Sequence, residues 1–419
     1  MTTGHAIDTA RAAATVGGGF AGRKLLIVIN EAYFLVSHRM AAARLARQQG
    51  FEVHVAAPLE HVWAPQGFDV ETLRQEGFVF HAIPLWKRSV NPLREARTFF
   101  GLLWLMLRLK PDVVHLVTIK PNLYGGIAAR VARVPAVVYA VTGLGHTFSG
   151  KGPVVSALRR LVVPLLRKSF GHRNSMAIFQ NASDRGRLVA HSIVREDHTR
   201  LFGGAGVDLA AFMPQPENTG AVVVVMAARL IWEKGVAEFV DAARLARANG
   251  LDARFVLVGR THPSNPRAVP RPTLEAWVAE GVIDWWGYRE DMPAVLAMAH
   301  IVCLPTRYGE GTPKVLLEAA AAGRPAVTTA IPGCSEAVQD GVTGLLVKPG
   351  DAADLARALR VLIEDASLRR SMGRSARLRA VAAFDEQAIA ADTLSLYDLL
   401  LRAGHVPGPR AFVAGVDGR

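Results

Sequence analysis

Two glutamates, Glu310 and Glu318, stand eight residues apart with Thr312, Pro313 and Lys314 between them. The stretch is "RYGEGTPKVLLEAAAAGRPAVTT", residues 307 to 329, a charged loop that runs into an apolar helix. Thr312 has the chemistry of an N-cap and Pro313 that of a first helical residue, where its missing N–H costs nothing. The helix is expected to end at Gly323. A helix N-terminus offers free N–H groups and a partial positive charge, which favour phosphate, and Lys314 adds a full charge. A carboxylate one turn further in suits hydrogen bonds from sugar hydroxyls. A ligand with both phosphate and hydroxyls is a nucleotide. Taken alone, the two glutamates fit equally well an acidic loop and a solvent-facing helix.

Two further polar segments occupy comparable positions. "AARLIWEKG" places Arg229 and Lys234 five residues apart after the apolar run 221–228, and "GYRED" places Tyr288 and Arg289 after the run 282–287. Arginine pairs with phosphate through two hydrogen bonds, whereas lysine acts as a point charge. Three such loops on one sheet edge can surround a pyrophosphate.

The elements that must hold these loops are legible as a rhythm. Apolar, β-branched runs at 24–30, 51–57, 113–118 and 136–143 alternate with helical patterns. A second series follows at 221–228, 253–259, 282–287, 301–305 and 325–329. Such alternation predicts parallel sheets covered on both faces, and two series predict two doubly wound α/β domains. The expected division is a tail over 1–22, a first domain over 23–205, a second over 206–385, a helix over 386–403 packing back across the first, and a tail over 404–419. In open α/β sheets ligands bind beyond the carboxyl ends of the strands, where all three loops fall.

The chain has 419 residues, half of them hydrophobic, and a formal net charge of +13. Two cysteines do not make a disulfide framework and fit a cytoplasmic protein. The first residues lack the basic and apolar regions of a secretory signal. Charge is uneven: residues 1–205 hold 26 Lys+Arg against 12 Asp+Glu, and residues 206–419 hold 23 against 24. The excess peaks in the acid-free stretch 151–173. There Val155, Leu158, Val162 and Leu165 repeat at helical spacing beside Arg159, Arg160, Arg167 and Lys168. A basic amphipathic helix implies an anionic membrane surface as partner, against the plainer alternative of a helix packed on a core. "FFGLLWLMLRLK", 99–110, is too short to span a bilayer and reads as a core helix or one dipping into the interface. Nucleic acid is excluded as partner because the basic half has no interleaved aromatics and no binding module. A dinucleotide oxidoreductase is excluded because no Gly-x-Gly-x-x-Gly follows a strand.

The spacing Arg229-x4-Lys234-Gly235, with Glu310-x7-Glu318 and "PGCSEAVQDGVTGLLVKPGD" (332–351), resembles the retaining glycosyltransferases of family 4, which have the GT-B fold. "FLVSHR" (34–39) and "HLVTIKPNLYGGIAARVARVPAVVYAVTGLGHTFSG" (115–150) are similar to the branch that extends undecaprenyl-diphosphate-linked sugars. The resemblance covers about residues 23 to 402. It implies two Rossmann-like domains facing a cleft, a UDP-sugar donor and a polyprenyl-diphosphate-linked acceptor. Arg229 and Lys234 would hold the diphosphate, Glu318 the ribose, and Glu310 the transferred sugar. Gly311, Thr312, Lys314 and Val315 would lie beside phosphates and sugar, with Tyr288 and Arg289 at the base. His146 is a candidate at the donor sugar, His38 and Arg39 at the acceptor diphosphate, and His115 is read as structural. Two departures stand out. The loop after the first strand, "NEAYFLVSHR", has no glycine, and His146 falls a few residues beyond its strand end. The chain contains no Asp-x-Asp pair, in keeping with a site that uses neither metal nor cofactor. The rival enzyme of this fold is a UDP-sugar 2-epimerase. The expected location is the cytoplasm, peripheral on the inner face of the cell membrane.

Overall fold

The computed structural model describes residues 19–59, 68–86, 89–144, 153–262, 265–309 and 311–403. The side chains of 153–158 and 161 are not among what it describes. Two sheets carry the molecule. The first holds β1 (Lys24–Ile29), β2 (Glu52–Ala57), β3 (Val79–Ala82), β4 (Val113–Val117), β5 (Ala136–Val141), β6 (Ser175–Phe179) and β7 (Thr199–Leu201). The second holds β8 (Val222–Ala227), β9 (Ala253–Val258), β10 (Asp284–Trp285), β11 (Ile301–Leu304), β12 (Ala326–Thr329) and β13 (Gly344–Val347). The spatial orders are β3-β2-β1-β4-β5-β6-β7 and β10-β9-β8-β11-β12-β13, and the described pairs are parallel. β1, "KLLIVI", and β5, "AVVYAV", are buried almost throughout, as strands covered on both faces must be.

The helices that matter below are α1 (Ala32–His38), α2 (Met40–Gln48), α3 (Pro92–Leu109), α4 (Gly126–Val131), α5 (Pro153–Phe170), α6 (Val236–Ala248), α7 (Lys314–Ala321), α8 (Ala352–Glu364) and α9 (Glu386–Ala403). α2 and α9 cover one face of the first sheet, and α3, α4 and α5 the other. α6 and α8 pack together on the second sheet. α9 packs on α2 and β5, so the chain returns to its first domain after completing the second. Leu394, Leu396, Tyr397 and Leu400 belong to the first domain's core, and the Tyr397 hydroxyl and His115 Nδ1 hydrogen-bond at 2.5 Å.

Both sheets reverse their strand order once, between β1 and β4 and between β8 and β11. The carboxyl ends of those strands are the places where such sheets form a crevice.

Candidate active site

A cavity of about 580 Å³ lies where the two crevices meet. The first domain contributes Asn30, Thr118, Thr142 and Gln180, each the residue immediately after β1, β4, β5 or β6. The second contributes Ala227 at the end of β8, Ala228 and Arg229 just past it, and Leu304 at the end of β11. Lys234, Tyr288 and the run Gly311 to Val315 complete that wall.

Lys234 closes a 3-10 turn, Trp232–Lys234, and is 8% exposed. Gly235 follows at φ +81°, and a Cβ there would overlap the Pro305 carbonyl. That position therefore requires glycine. The Glu233 carbonyl accepts from Arg307 N at 2.8 Å and Thr306 Oγ1 at 3.1 Å. Thus the loops after β8 and β11 are bolted together, and Lys234 is held with them.

α7 starts one residue later than its sequence signals predict. Its N-cap is Pro313, with no capping side chain. Thr312 does not cap because its polar groups are engaged across the cleft. Its Oγ1 donates to the Gln180 carbonyl at 3.0 Å and its N–H to Gln180 Oε1 at 3.2 Å. The end of α7 agrees with expectation, Gly323 standing just past it at φ +68°. Lys314 also spans the cleft, donating to the Ser37 carbonyl of α1 at 2.6 Å. Glu318 is buried one turn on, 3.8 Å from the Lys314 ammonium. Burial raises its carboxyl above the usual range and Lys314 opposes that shift. Glu318 does not itself line the cavity, whereas Gly311, Thr312, Lys314 and Val315 do.

Tyr288 stands on the wall with the Arg260 guanidinium 5.0 Å from its ring. Its neighbour Arg289 is turned away and held by Asp291 at 2.7 Å. On the facing wall, His38 stacks on Phe34 with ring centres 3.9 Å apart and hydrogen-bonds Ser37 Oγ at 2.7 Å. Burial, then the charges of Lys314, Arg39 and Arg229, push its pKa well below the ordinary value. Arg39 departs from expectation: it is 5% exposed, is not on the wall of the main cavity, and lines a small adjoining pocket of about 40 Å³ with Glu386 and Lys314. Its position at the junction of α1 and α2 turns it inward, toward His115 and Tyr397.

Beyond His38, sequence reasoning missed the first domain's contribution. Gln180 and Thr118 are the clearest cases. Thr118 adopts φ +77°, rare for a β-branched residue, and its buried hydroxyl has no hydrogen-bond partner among the described residues. The rule that found Arg229, a polar residue just past a strand, would have found Asn30, Thr118, Thr142 and Gln180 as well. His146 and Glu310 lie outside the described residues.

The basic helix α5 also differs from its reading. Leu166 and Phe170 are buried, with Val162 and Val163 packed beside them, while Leu165 is 44% exposed. The described apolar face belongs to the core, and Arg167 donates to the His191 carbonyl at 2.7 Å. Arg160 and Lys168 remain exposed, and Arg159 is half-buried. α5 thus offers charge to a partner and no described apolar stripe. Among the described residues, no helix is long and apolar enough to cross a membrane, and no cluster of His, Cys, Asp or Glu is arranged to hold a metal ion.

Comparison with known proteins gives this geometry its context. Residues 24–172 match the family model described as glycosyl transferase 4-like, and residues 221–365 match that described as glycosyl transferases group 1. The N,N'-diacetylbacillosaminyl-diphospho-undecaprenol alpha-1,3-N-acetylgalactosaminyltransferase of Campylobacter jejuni is 29% identical over 354 residues, 81% of this chain and 91% of that protein. The UDP-Gal:alpha-D-GlcNAc-diphosphoundecaprenol alpha-1,3-galactosyltransferase of Escherichia coli is 25% identical, over 72% of this chain and 79% of that one. Anabaena HepE, solved in complex with UDP-glucose, superposes with a TM-score of 0.66 at 21% identity, covering 89% of this chain and 99% of its own. None of these three is an epimerase. With both halves matched by transferase models around one shared cleft, the chain belongs to the family 4 retaining glycosyltransferases, enzymes of the GT-B fold.

Proposed function

We propose that the enzyme moves a sugar from a UDP-sugar to a saccharide carried on undecaprenyl diphosphate, in the assembly of a cell-surface glycan, capsule or O-antigen. The observation that carries this reading is the second-domain wall. It gathers Arg229, Lys234, Lys314 and the uncapped start of α7 around one cavity. That is a site for a diphosphate. Two relatives aligned over most of the chain are named for diphospho-undecaprenol-linked sugars, and one of their names specifies UDP-Gal. HepE was solved with UDP-glucose, which favours the same base.

In this mechanism the acceptor hydroxyl attacks the donor sugar on the face from which UDP departs, through an oxocarbenium-like state, and the leaving diphosphate takes the proton. Arg229 and Lys234 stabilise the charge that grows on the diphosphate, and they are set in place before the reaction begins. Neither metal nor cofactor is needed for that task. Gly311, Thr312 and Val315 lie along the phosphates and sugar, Tyr288 meets the base, and Glu318 accepts from the ribose once Lys314 turns from Ser37 to the donor. Glu310 and His146 are assigned to the transferred sugar, and His38 to the acceptor diphosphate. The enzyme works from the cytoplasm as a peripheral protein on the inner face of the cell membrane, where Arg160 and Lys168 add to the first domain's attraction for anionic lipid.

The test is a screen of UDP-, GDP- and TDP-sugars for thermal stabilisation, followed by transfer from the best donor to a prenyl-diphosphate-linked sugar. Selective stabilisation by UDP-sugars with product on the lipid is expected. Stabilisation by GDP-sugars alone, or interconversion of the UDP-sugar at C2 without acceptor, would refute the reading.

A further inference from the structure

We propose that the outer face of α3 seats the first domain on an anionic lipid bilayer, an inference that rests on the lipid-linked acceptor proposed above. α3 is apolar on two opposite sides. Thr98, Leu102, Leu105 and Met106 point into the core. Leu93, Phe100, Trp104 and Leu107 point out, at exposures of 77%, 63%, 60% and 52%. Their spacing of seven, four and three residues keeps them on one stripe, about 21 Å long at 1.5 Å per residue. Val90, two residues before the helix, is also exposed, at 81%. Scattered apolar residues on a surface are ordinary, but an aligned stripe with two aromatics is a contact surface.

Charge selects the partner. Arg94, Arg97, Arg108 and Lys110 are all exposed along α3 and its end. The Arg108 guanidinium lies 5.2 Å over the Trp104 ring. The helix has one acid, Glu95, and Lys120 neutralises it at 2.8 Å. A second copy of this chain would bring arginines against arginines across such a face. Anionic lipid complements it, with the apolar stripe entering the acyl boundary and the cations at the headgroups.

Placement agrees with the task. Lys120 lies just past the carboxyl end of β4 and also donates to the Trp86 and Ser89 carbonyls, each at 2.7 Å. The start of α3 is therefore pinned at the cleft end of the first sheet, and the stripe runs from there down the side of the domain. A lipid whose diphosphate enters the cleft would leave its chain beside Leu93.

The test uses the full chain and vesicles of phosphatidylethanolamine and phosphatidylglycerol. The Phe100→Ser, Trp104→Ser, Leu107→Ser triple variant should lose about ten-fold or more in vesicle affinity while UDP still raises its melting temperature. Brominated lipid should quench wild-type tryptophan fluorescence, and Trp104→Phe should remove most of that quenching. With a short, water-soluble prenyl-diphosphate acceptor, wild type and triple variant should turn over alike. Undiminished vesicle binding by the triple variant would overturn the proposal. So would a wild-type dimer that the substitutions dissociate, which would make the face a self-association surface. Absence of transfer to the short acceptor by wild type would count against the proposed reaction and leave the vesicle result to be read separately.

Discussion

Lys234 is fixed by its surroundings, so its charge is in place without reorganisation when the diphosphate departs. Lys234→Ala is expected to lower kcat by about 10²–10³, roughly 3–4 kcal/mol, with a smaller change in donor KM. Steady-state kinetics check this, and a wild-type kcat would remove Lys234 from the site. Glu318→Ala is expected to weaken UDP binding itself, because a ribose contact exists in the ground state, and calorimetry reads it directly. Thr118 behaves differently. Its φ of +77° stores strain of about 1–3 kcal/mol, and its hydroxyl has no partner among the described residues. Thr118→Gly should therefore gain about 1 kcal/mol of stability in denaturant titrations while losing turnover. Loss of stability would show that the hydroxyl is a structural group.

At the level of elements, α9 is tied to the first domain through Tyr397 and His115. Burial, and then the Arg39 charge, push the His115 pKa down to about 3 from the ordinary 6.5. The native state resists a proton that the unfolded chain accepts, so stability is full above about pH 6.5 and falls as pH drops toward 3. This one group contributes a slope of up to about 1.4 kcal/mol per pH unit in that window. His115→Gln should flatten the acid limb of melting temperature against pH; an unchanged limb would exclude His115 as a source. The return of α9 was legible because its apolar spacing follows two finished α/β series. The strands were legible because their runs are continuous and β-branched. What failed to show were choices that depend on distant partners. Thr312 reads as a cap from its neighbours, yet Gln180, 132 residues away, claims its hydroxyl. α5 reads as a stripe through Leu165, yet the core takes Leu166 and Phe170. α3 presents apolar residues on both sides, and sequence alone does not say which side faces inward.

For the whole molecule, the two domains meet through short polar contacts at the cleft. Gln180 holds Thr312, Ser37 holds Lys314, and the Tyr33 and Tyr288 hydroxyls interact. Gly311 sits among them, where a Cβ would overlap Gln180 Oε1 and the Thr142 carbonyl. Gly311→Ala is expected to hold the cleft open, with a larger radius of gyration by small-angle scattering and turnover about ten-fold lower or worse. An unchanged radius would mean that the neighbours give way locally. The crossing of α9 carries a separate consequence, for synthesis. Domains ordinarily fold in the order in which the ribosome delivers them, at about 5–20 residues per second. Here the first domain waits for its last helix until residue 403 has been made, roughly 10–40 s after β7 has been translated. During that interval the groove over α2 and β5 stands uncovered, and the second domain, whose sheet and helices are contiguous in sequence, can finish first. The nascent chain is therefore most exposed to chaperones at the surface that α9 will cover.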